Sequence, residues 1–535
     1  MWKLQPASSP ARQRKAKTVS FGAPVAGWIA NRSLANPDGA NAPQGAEILD
    51  NMFPTTTGAI LRRGCVTYTT IGAGDLPVVS LFKYAVGNNR RFFAANQLRV
   101  YDITLSTSPS SAWEGEGGNW STVQFATSGD TFLIGVNGVS SGFIYDGVSF
   151  GSLQGGVPEI TFPAGVGLTT ADLIYVWVYK NRLFFVEKES LSVWYLPVDQ
   201  VGGELTELPL GGNFGFGGSL LLGQTWSLEG GGSGGLSEQC VFLTTEGEVL
   251  AFQGTDPAEA SSWQKVGLYR IGTPLGTKGI IRAGGDLVIA TSTGAIPLSK
   301  AIQVDLTALA PMAVSAPIDA AWTEAYASRG SNWQAIVWSE GQLAAFAPPT
   351  TDDTDPIILV ANAITGAWCR FTGWKANAFV VFNGRLYFGS DDGKIVEAMV
   401  GGSDNGMSYT GAYLPLFTDL GAPDSTKIAG QARITVRSAA SITERVSCRF
   451  DFNRELPSPP DATTVALGSE WDGAIWNESL WAAGRSSIVT QRRHSVSGLG
   501  YRIAAAFQVT SASTVPLDAE IVSIDVTYTM GDAFA

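Results

Sequence analysis

The histidine content of the chain limits the catalytic and metal chemistry that it can carry. One histidine, His494, occurs in 535 residues, and it lies in a polar stretch, Gln491–Ser495. Histidine-based nucleophilic catalysis and ordinary zinc sites need several imidazoles or thiolates that converge on one point. The GxxxxGK[ST] pattern of a phosphate-binding loop does not occur either. We expect His494 to be a surface or strand-ladder residue, and we predict a protein that is not an enzyme.

Acidic residues are numerous, but their spacing singles out no catalytic pair. A glycosidase needs two carboxylates a few ångströms apart, and 47 Asp and Glu residues leave that choice open. Residues 350–356 bring oxygens together but lack the glycine and the distal glutamate of an EF-hand loop. We interpret this segment as an acidic solvated turn, and the glycine-rich runs 211–218 and 229–235 as loops. The sequence predicts no metal site and no cofactor.

The four cysteines are spaced too widely for a compact disulfide or metal motif. They are Cys65, Cys240, Cys369 and Cys448, and no CxxC pair occurs. So low a density in a chain of this length is typical of proteins made in a reducing cytosol. We expect four free thiols.

The charge balance argues against a general nucleic-acid binder. The chain carries 35 basic and 47 acidic residues, a net charge of −12, whereas phosphate neutralisation needs a basic surface. The first 36 residues reverse this sign locally, because they contain no Asp or Glu and include Arg12, Arg14, Lys15 and Lys17. We interpret residues 1–44 as a basic N-terminal arm that docks on an acidic partner, with an arm that has no role as the alternative.

The apolar runs of the chain are short. The longest, such as 173–179 and 378–382, fall far below the ~20 residues that span a bilayer. The first 24 residues also lack the apolar core of a secretory signal. We therefore expect no membrane anchor.

Turn signals between short apolar runs indicate an all-β protein. Glycine supplies 63 residues, and charged residues make up 15% of the chain against a usual ~25%. Dipeptides such as Asn137-Gly138 and Asn383-Gly384 separate runs of strand-forming residues. These units recur every ~40 to 50 residues, the length of a four-stranded blade. The pattern predicts a β-propeller over residues 76–405, with a sandwich carrying inserted hairpins as the alternative.

Longer alternating strands follow this region. Residues 432–437, 501–509 and 520–528 alternate apolar and polar side chains, which predicts a second, sandwich-like antiparallel unit over 406–535, joined by residues 45–75. Three tryptophans lie close together within it, at Trp471, Trp476 and Trp481. We expect them to be buried plugs or interface residues, and a sugar-stacking platform is the alternative.

Two segments resemble the tail nozzle proteins of short-tailed bacteriophages. Residues 46–64 are similar to an N-terminal motif of that family, and residues 241–291 are similar to its central propeller. Residues 450–452, Trp471 and Trp476 add a weaker likeness. The motif residues are structural in character, shaping turns, plugging the core, or restricting or freeing the backbone. They are Phe53, Pro54, Gly58, Gly64, Gly254, Asp256, Pro257, Trp263, Gly272, Pro274 and Gly276.

The resemblance implies a structural virion protein made in the host cytoplasm. Such a protein forms a ring, usually a hexamer, that continues the DNA channel below the tail adaptor and retains or guides the genome during ejection. The implied partners are further copies of the chain, the adaptor, tail fibres or tailspikes, and a tail needle, while DNA passes without sequence-specific binding. A carbohydrate-binding or carbohydrate-degrading propeller, such as a tail-associated depolymerase, is the alternative that the many Trp and acidic residues leave open.

Overall fold

The chain forms two compact units of β-structure. The structure is a computed structural model that describes residues 16–31, 44–228, 237–350, 354–464 and 488–533. Strands hold 51% of the described residues and helices 7%, which confirms the all-β prediction. One unit is Arg63–Met407, and the other combines Met1–Arg62 with Ser408–Ala535. We call them the propeller unit and the platform unit.

Tight turns between alternating strands set the local structure of the propeller unit. Asn383 and Gly384 both have positive φ, 50° and 77°, between the strands Ala378–Phe382 and Arg385–Gly389. Positive φ at both central residues is the mark of a type I′ turn, whose twist matches that of its flanking strands. This is why Asn-Gly dipeptides in the sequence indicate hairpins.

Among the described residues, the propeller unit contains seven groups of three or four antiparallel strands, which we call blades 1 to 7. Neighbouring strands within a blade mostly follow one another along the chain, as in a β-propeller. The strands are Ser80–Val86, Asn89–Ala95, Arg99–Asp102 and Ser110–Glu114 in blade 1; Ser121–Ala126, Thr131–Val136, Phe143–Tyr145 and Phe150–Ser152 in blade 2; Leu173–Tyr179, Arg182–Glu187, Ser192–Tyr195 and Thr206–Pro209 in blade 3; Leu220–Leu228, Ser237–Thr244, Glu248–Gly254 and Trp263–Arg270 in blade 4; Ile280–Ala283, Asp286–Thr291 and Gly294–Pro297 in blade 5; Gln334–Trp338, Leu343–Ala347, Ile357–Asn362 and Trp368–Thr372 in blade 6; and Ala378–Phe382, Arg385–Gly389, Lys394–Ala398 and Cys65–Thr70 in blade 7. A short parallel pair, Ile160–Thr161 with Gly203–Glu204, lies outside the blades.

The blades close into a ring. The first strands of blades 2, 3 and 4 contact one another in order, as do those of blades 5, 6 and 7, and blade 4 contacts blade 5. The first strand of blade 7 then contacts Ser80–Val86 of blade 1, and the Gln124 amide of blade 2 bonds both backbone groups of Ala85. Cys65–Thr70 pairs with Lys394–Ala398, so the beginning and the end of the unit share one blade.

Aromatic side chains fill the spaces between blades. Phe82 of blade 1 stacks on Phe143 of blade 2 with ring centroids 5.7 Å apart. Trp177 of blade 3 meets Phe242 of blade 4 edge to face at 5.8 Å. Each such pair adds about 0.5 to 1.5 kcal/mol beyond the burial of its area, so the interfaces between blades hold the ring together.

Short helices follow blade 5. The α-helix Asp319–Arg329 buries Trp322, whose ring lies 4.7 Å from that of Trp333 and 5.3 Å from that of Phe346. The Trp322 indole N–H donates to the carbonyl of Thr291 at 2.8 Å, so the buried polar group is satisfied. The remaining helical segments are the α-helices Leu298–Ala301 and Leu306–Leu309 and the 3₁₀ turns Thr170–Asp172, Gly211–Asn213, Ala310–Met312 and Ala316–Ile318.

The platform unit consists of two mostly antiparallel sheets. The first contains, in spatial order, Ile488–Gly500, Ser425–Ser438, Glu520–Ala533, Ala59–Leu61 and Met52–Pro54, with Lys17–Gly22 also paired to Glu520–Ala533. The second contains Gly27–Trp28, Gly45–Asp50, Tyr409–Pro415, Ile503–Ser511 and Glu444–Phe450. Gly411 of the second sheet leaves room for Leu61 and Met52 of the first, because an added Cβ would lie 2.5 Å from Leu61.

The bounds of the units differ from the predicted ones. The predicted joining segment, 45–75, is shared between the units, because Gly45–Leu61 builds platform strands and Cys65–Thr70 completes blade 7. Within the predicted basic arm, Lys17–Gly22 is a platform strand. Strand pairing over several hundred residues produces these differences, and local patterns do not reveal such partners.

Candidate functional site

The segment 272–279 enters blade 5 and places a lysine at the centre of the ring. Backbone bonds hold it on both sides, because the Leu275 N–H donates to Ala290 at 2.9 Å and the Leu275 carbonyl accepts from Trp333 at 2.8 Å. Gly276 has φ +117°, a conformation that other residues rarely adopt. These constraints fix the position of Lys278 two residues later.

Lys278 reaches from blade 5 to blade 1, which is not its neighbour in the ring. Its Nζ donates to the Val79 carbonyl at 3.2 Å and to Ser80 Oγ at 2.7 Å. Ser80 Oγ also accepts from the Trp120 N–H at 2.9 Å and donates to the Gly118 carbonyl at 2.7 Å. The lysine side chain therefore spans the middle of the ring and ends at two acceptors of blade 1, the Val79 carbonyl and Ser80 Oγ.

Lys278 lines a cavity of about 250 Å³ at the end of the ring where the first strands begin, which we call the propeller cavity. Its walls come from six of the seven blades or from the turns that precede them. The lining residues are Leu81, Asn119, Trp120, Ser121, Thr122, Ile174, Tyr175, Thr277, Lys278, Ile280, Gln334, Ala335, Ala378 and Phe379. Hydroxyl and amide groups from four of these elements face a common space.

Burial lowers the pKa of Lys278 to about 7, from an ordinary value of 10.5. Desolvation disfavours the ammonium form, and it is the sole cause of the shift, so no carboxylate counteracts it. The side chain stays partly accessible from the cavity. Near neutral pH, this amine is therefore divided between its charged and neutral forms.

A chain of polar side chains orients the hydroxyl of Tyr175 in the same cavity. Arg282 Nη2 donates to Gln224 Oε1 at 3.1 Å, and Gln224 Nε2 donates to the Tyr175 hydroxyl at 2.7 Å. Arginine has no acceptor, so this contact fixes which end of the Gln224 amide faces Tyr175. Burial also raises the pKa of Tyr175, which keeps its hydroxyl protonated and able to donate.

The resemblance motif at 254–263 forms a turn between two strands of blade 4. Gly254 has φ +150°, and a Cβ there would lie 1.8 Å from the Ser262 carbonyl. Asp256 accepts the Ala258 N–H at 3.0 Å and pairs with Arg182 of blade 3 at 3.0 Å. Pro257 follows within this turn, and Trp263 stacks on Phe252 with centroids 5.3 Å apart. These residues shape the backbone and join two blades.

The other motif residues also lie in well-packed backbone. Phe53 and Pro54 end one strand of a platform hairpin, and Gly58 closes its turn by accepting the Thr55 N–H at 2.8 Å. Gly64 donates to the Gly401 carbonyl at 3.1 Å in the propeller unit. Gly272 and Pro274 are buried at the start of the segment that carries Lys278, with Pro274 bridged to Thr291.

Several predicted residues lie outside the described part of the chain. They are Arg12, Arg14 and Lys15 of the basic arm and Trp471, Trp476 and Trp481. Lys17 is described, and it begins the platform strand paired with Glu520–Ala533, where its Nζ contacts Met530 Sδ at 3.5 Å.

The strand Ile488–Gly500, which we call the edge strand, is the most exposed long element of the platform unit. It pairs with Ser425–Ser438, and within the described residues no strand pairs with its other side. Val489 is 58% exposed and Leu499 is 59% exposed. A long edge of this kind presents unpaired backbone donors and acceptors to another chain.

Ion pairs hold the edge strand against the second platform sheet. Arg492 Nη1 lies 2.8 Å from Glu444 Oε2, and His494 Nε2 lies 3.2 Å from Glu444 Oε1. The Glu444 side chain is 3% exposed, so the pairing satisfies a buried carboxylate. The single histidine of the chain therefore has a structural partner.

Two sequence features acquire a meaning only from the structure. A GxSxG pattern at residues 147–151 begins in the turn between two strands of blade 2, where the Ser149 N–H donates to Asp146 at 2.7 Å. A nucleophile elbow needs a strand-to-helix turn, so this pattern does not form one. Lys278 was not singled out by sequence reasoning. Its one local signal is a lysine flanked by Thr277 and Gly279 immediately before an apolar strand.

The described residues show neither a metal cluster nor a membrane helix. No group of three or more His, Cys, Asp or Glu side chains is placed to hold a metal ion in that part of the chain. No helix within the same ranges has the length and apolarity needed to cross a membrane. All four cysteines are buried thiols outside any disulfide.

Comparisons with known proteins identify no family. No family model and no curated protein matches the chain. Among solved structures, it is similar to the computationally designed Ika8 protein (9% identity, TM-score 0.35) over 63% of this chain and 100% of that one. It is also similar to BBS1N, solved in complex with ARL6DN (9% identity, TM-score 0.36), over 63% of this chain and 98% of that one. At such values neither likeness assigns a function.

Proposed function

We propose that the chain is a structural virion protein that forms the ring-shaped tail nozzle of a short-tailed bacteriophage. In this role it continues the DNA channel below the adaptor and retains or guides the genome during ejection. The resemblance of residues 46–64 and 241–291 to nozzle proteins supports the proposal. Its partners would be further copies of the chain, the adaptor, and the fibres, tailspikes or needle of the tail.

The observation that carries the proposal is the edge strand of the platform unit. It offers thirteen residues of extended backbone with exposed apolar side chains at both ends, Ile488 and Val489 at one and Leu499 at the other. Strand addition along such an edge gives many backbone hydrogen bonds without a deep pocket. A ring needs a head-to-tail contact, which this edge supplies on one side of each copy.

The net charge of −12 agrees with a channel protein. A ring that passes DNA must not grip it, and an acidic wall repels phosphate groups. The proposal therefore requires transit without base recognition.

Native mass spectrometry and electron microscopy of the purified chain test the proposal. We expect a closed ring, and Val489→Lys should reduce the ring population because it adds a charge at the edge strand. Val139→Lys is a matched control, because Val139 is 54% exposed in the propeller unit. A chain that stays monomeric at every concentration would contradict the ring.

The carbohydrate alternative needs accessible stacking surfaces and a catalytic acid. Every Trp in the described ranges is buried or half-buried, which does not favour it there. Incubation of the chain with host polysaccharide decides between the two functions. Release of reducing ends, abolished by a single Asp or Glu substitution, would replace the nozzle by a depolymerase.

A further inference from the structure

The propeller cavity contains donor groups that the protein does not fully use. A charged Lys278 has three N–H groups, and the protein accepts two of them, at Val79 and Ser80. The Tyr175 hydroxyl accepts from Gln224, and within the described residues no protein acceptor takes its own hydrogen. The side chains that carry these two polar hydrogens thus line the same cavity of about 250 Å³.

The ammonium group also lacks a protein counter-ion. No Asp or Glu lines the propeller cavity, and its described walls carry one titratable group besides Lys278, which is Tyr175. Arg282 stands behind Gln224 and adds positive charge. A partly buried cation without a counter-ion is costly, and an anion in the cavity would reduce that cost.

We propose that the propeller cavity binds a small carboxylate, whose two oxygens accept hydrogen bonds from the Lys278 ammonium and the Tyr175 hydroxyl. One positive charge and two donors match a carboxylate monoanion. A phosphate dianion would leave a further negative charge without a counter-ion among the lining residues. The apolar part of the ligand would contact Leu81, Ile174 and Phe379, which line the same cavity.

Binding at this site does not depend on the assembly of several copies into a nozzle, since all residues of the site belong to the propeller unit of one chain. A carboxylate bound here would link Tyr175 of blade 3 to Lys278, which precedes blade 5 and bonds blade 1. A failure of the nozzle proposal therefore leaves this proposal standing, and the reverse also holds.

Isothermal titration calorimetry of the full chain with sodium butyrate tests the proposal, with butyramide as the neutral probe of similar shape. We expect butyrate to bind and butyramide not to compete. Lys278→Met should weaken butyrate binding about tenfold or more, the loss expected for a charge-assisted hydrogen bond. Lys265→Met, at an exposed lysine of blade 4, should leave the affinity unchanged.

The pH dependence supplies a second readout. Since the pKa of Lys278 is about 7, butyrate affinity should fall about thirtyfold between about pH 6 and about pH 8.5, as the charged fraction falls. Tyr175 stays protonated over this range, because burial raises its pKa. The ligand carboxylate is ionised throughout.

Tyr175→Phe removes one hydroxyl and keeps the aromatic ring. Should Lys278→Met fail to fold, this second variant tests the same binding site. It should weaken butyrate binding severalfold. Absence of butyrate binding to the folded chain at about pH 6 would overturn the proposal. Binding that neither Lys278→Met nor Tyr175→Phe weakens would overturn it too, because the carboxylate would then lie elsewhere.

Discussion

Replacing Lys278 by methionine should change how the stability of the propeller unit depends on pH. In the folded chain the pKa of Lys278 is about 7, against an ordinary value of 10.5. Below pH 7 the lysine is charged in both states, and the folded state bears the full desolvation cost. Between the two values the unfolded chain binds the proton and the folded chain does not, so stability rises with pH.

The magnitude follows from the proton difference. One proton bound only in the unfolded state contributes about 1.4 kcal/mol per pH unit, so wild type should gain about 2 kcal/mol over Lys278→Met between about pH 7.5 and about pH 9. Methionine also removes the side-chain donor to the Val79 carbonyl and one of the two donors to Ser80 Oγ. That loss does not depend on pH, so it shifts the difference curve without changing its slope.

Denaturant unfolding of both proteins, followed by tryptophan fluorescence in carboxylate-free buffers, measures this slope. Groups other than Lys278 cancel in the difference between wild type and variant. Lys265→Met should give a flat difference, because Lys265 is exposed. A difference between wild type and Lys278→Met that stays constant across the window would refute the burial argument.

Three further predictions concern the framework. Gly254→Ala should lower the free energy of unfolding by roughly 2 kcal/mol more than Gly165→Ala, as measured by thermal denaturation. Both glycines have positive φ, but an added Cβ meets Ser262 only at Gly254, so equal losses would contradict the steric argument. Arg62→Lys should lower the free energy of unfolding by about 2 kcal/mol, because buried Arg62 bonds Asn51 at 2.8 Å and lies 4.2 Å over the Tyr409 ring. Arg63→Lys, at the exposed neighbour, is the control and should leave the free energy of unfolding nearly unchanged. Cys448, whose pKa burial raises to about 12, and the other three thiols should react slowly with Ellman's reagent until the chain unfolds, and rapid titration of the native protein would contradict their burial.

Local chemistry determined much of the fold. Asn-Gly dipeptides and alternating runs predict hairpins, because turn geometry and strand alternation depend on neighbouring residues. The change from short to long strands near residue 401 likewise separates propeller from platform strands. Glycine and proline at residues 272–276 mark a segment of special backbone conformation by their residue types alone.

The tertiary structure alone decided which strands pair and which polar groups are buried. Lys17–Gly22 pairs with Glu520–Ala533, and Cys65–Thr70 pairs with Lys394–Ala398. The backbone groups of a strand edge are the same in every strand, so the choice of partner depends on the assembled cores rather than on local sequence. Lys278 shows the same limit, since a lysine in a glycine-rich turn is ordinarily solvated. Only the assembled propeller unit buries its amine enough to lower the pKa to about 7.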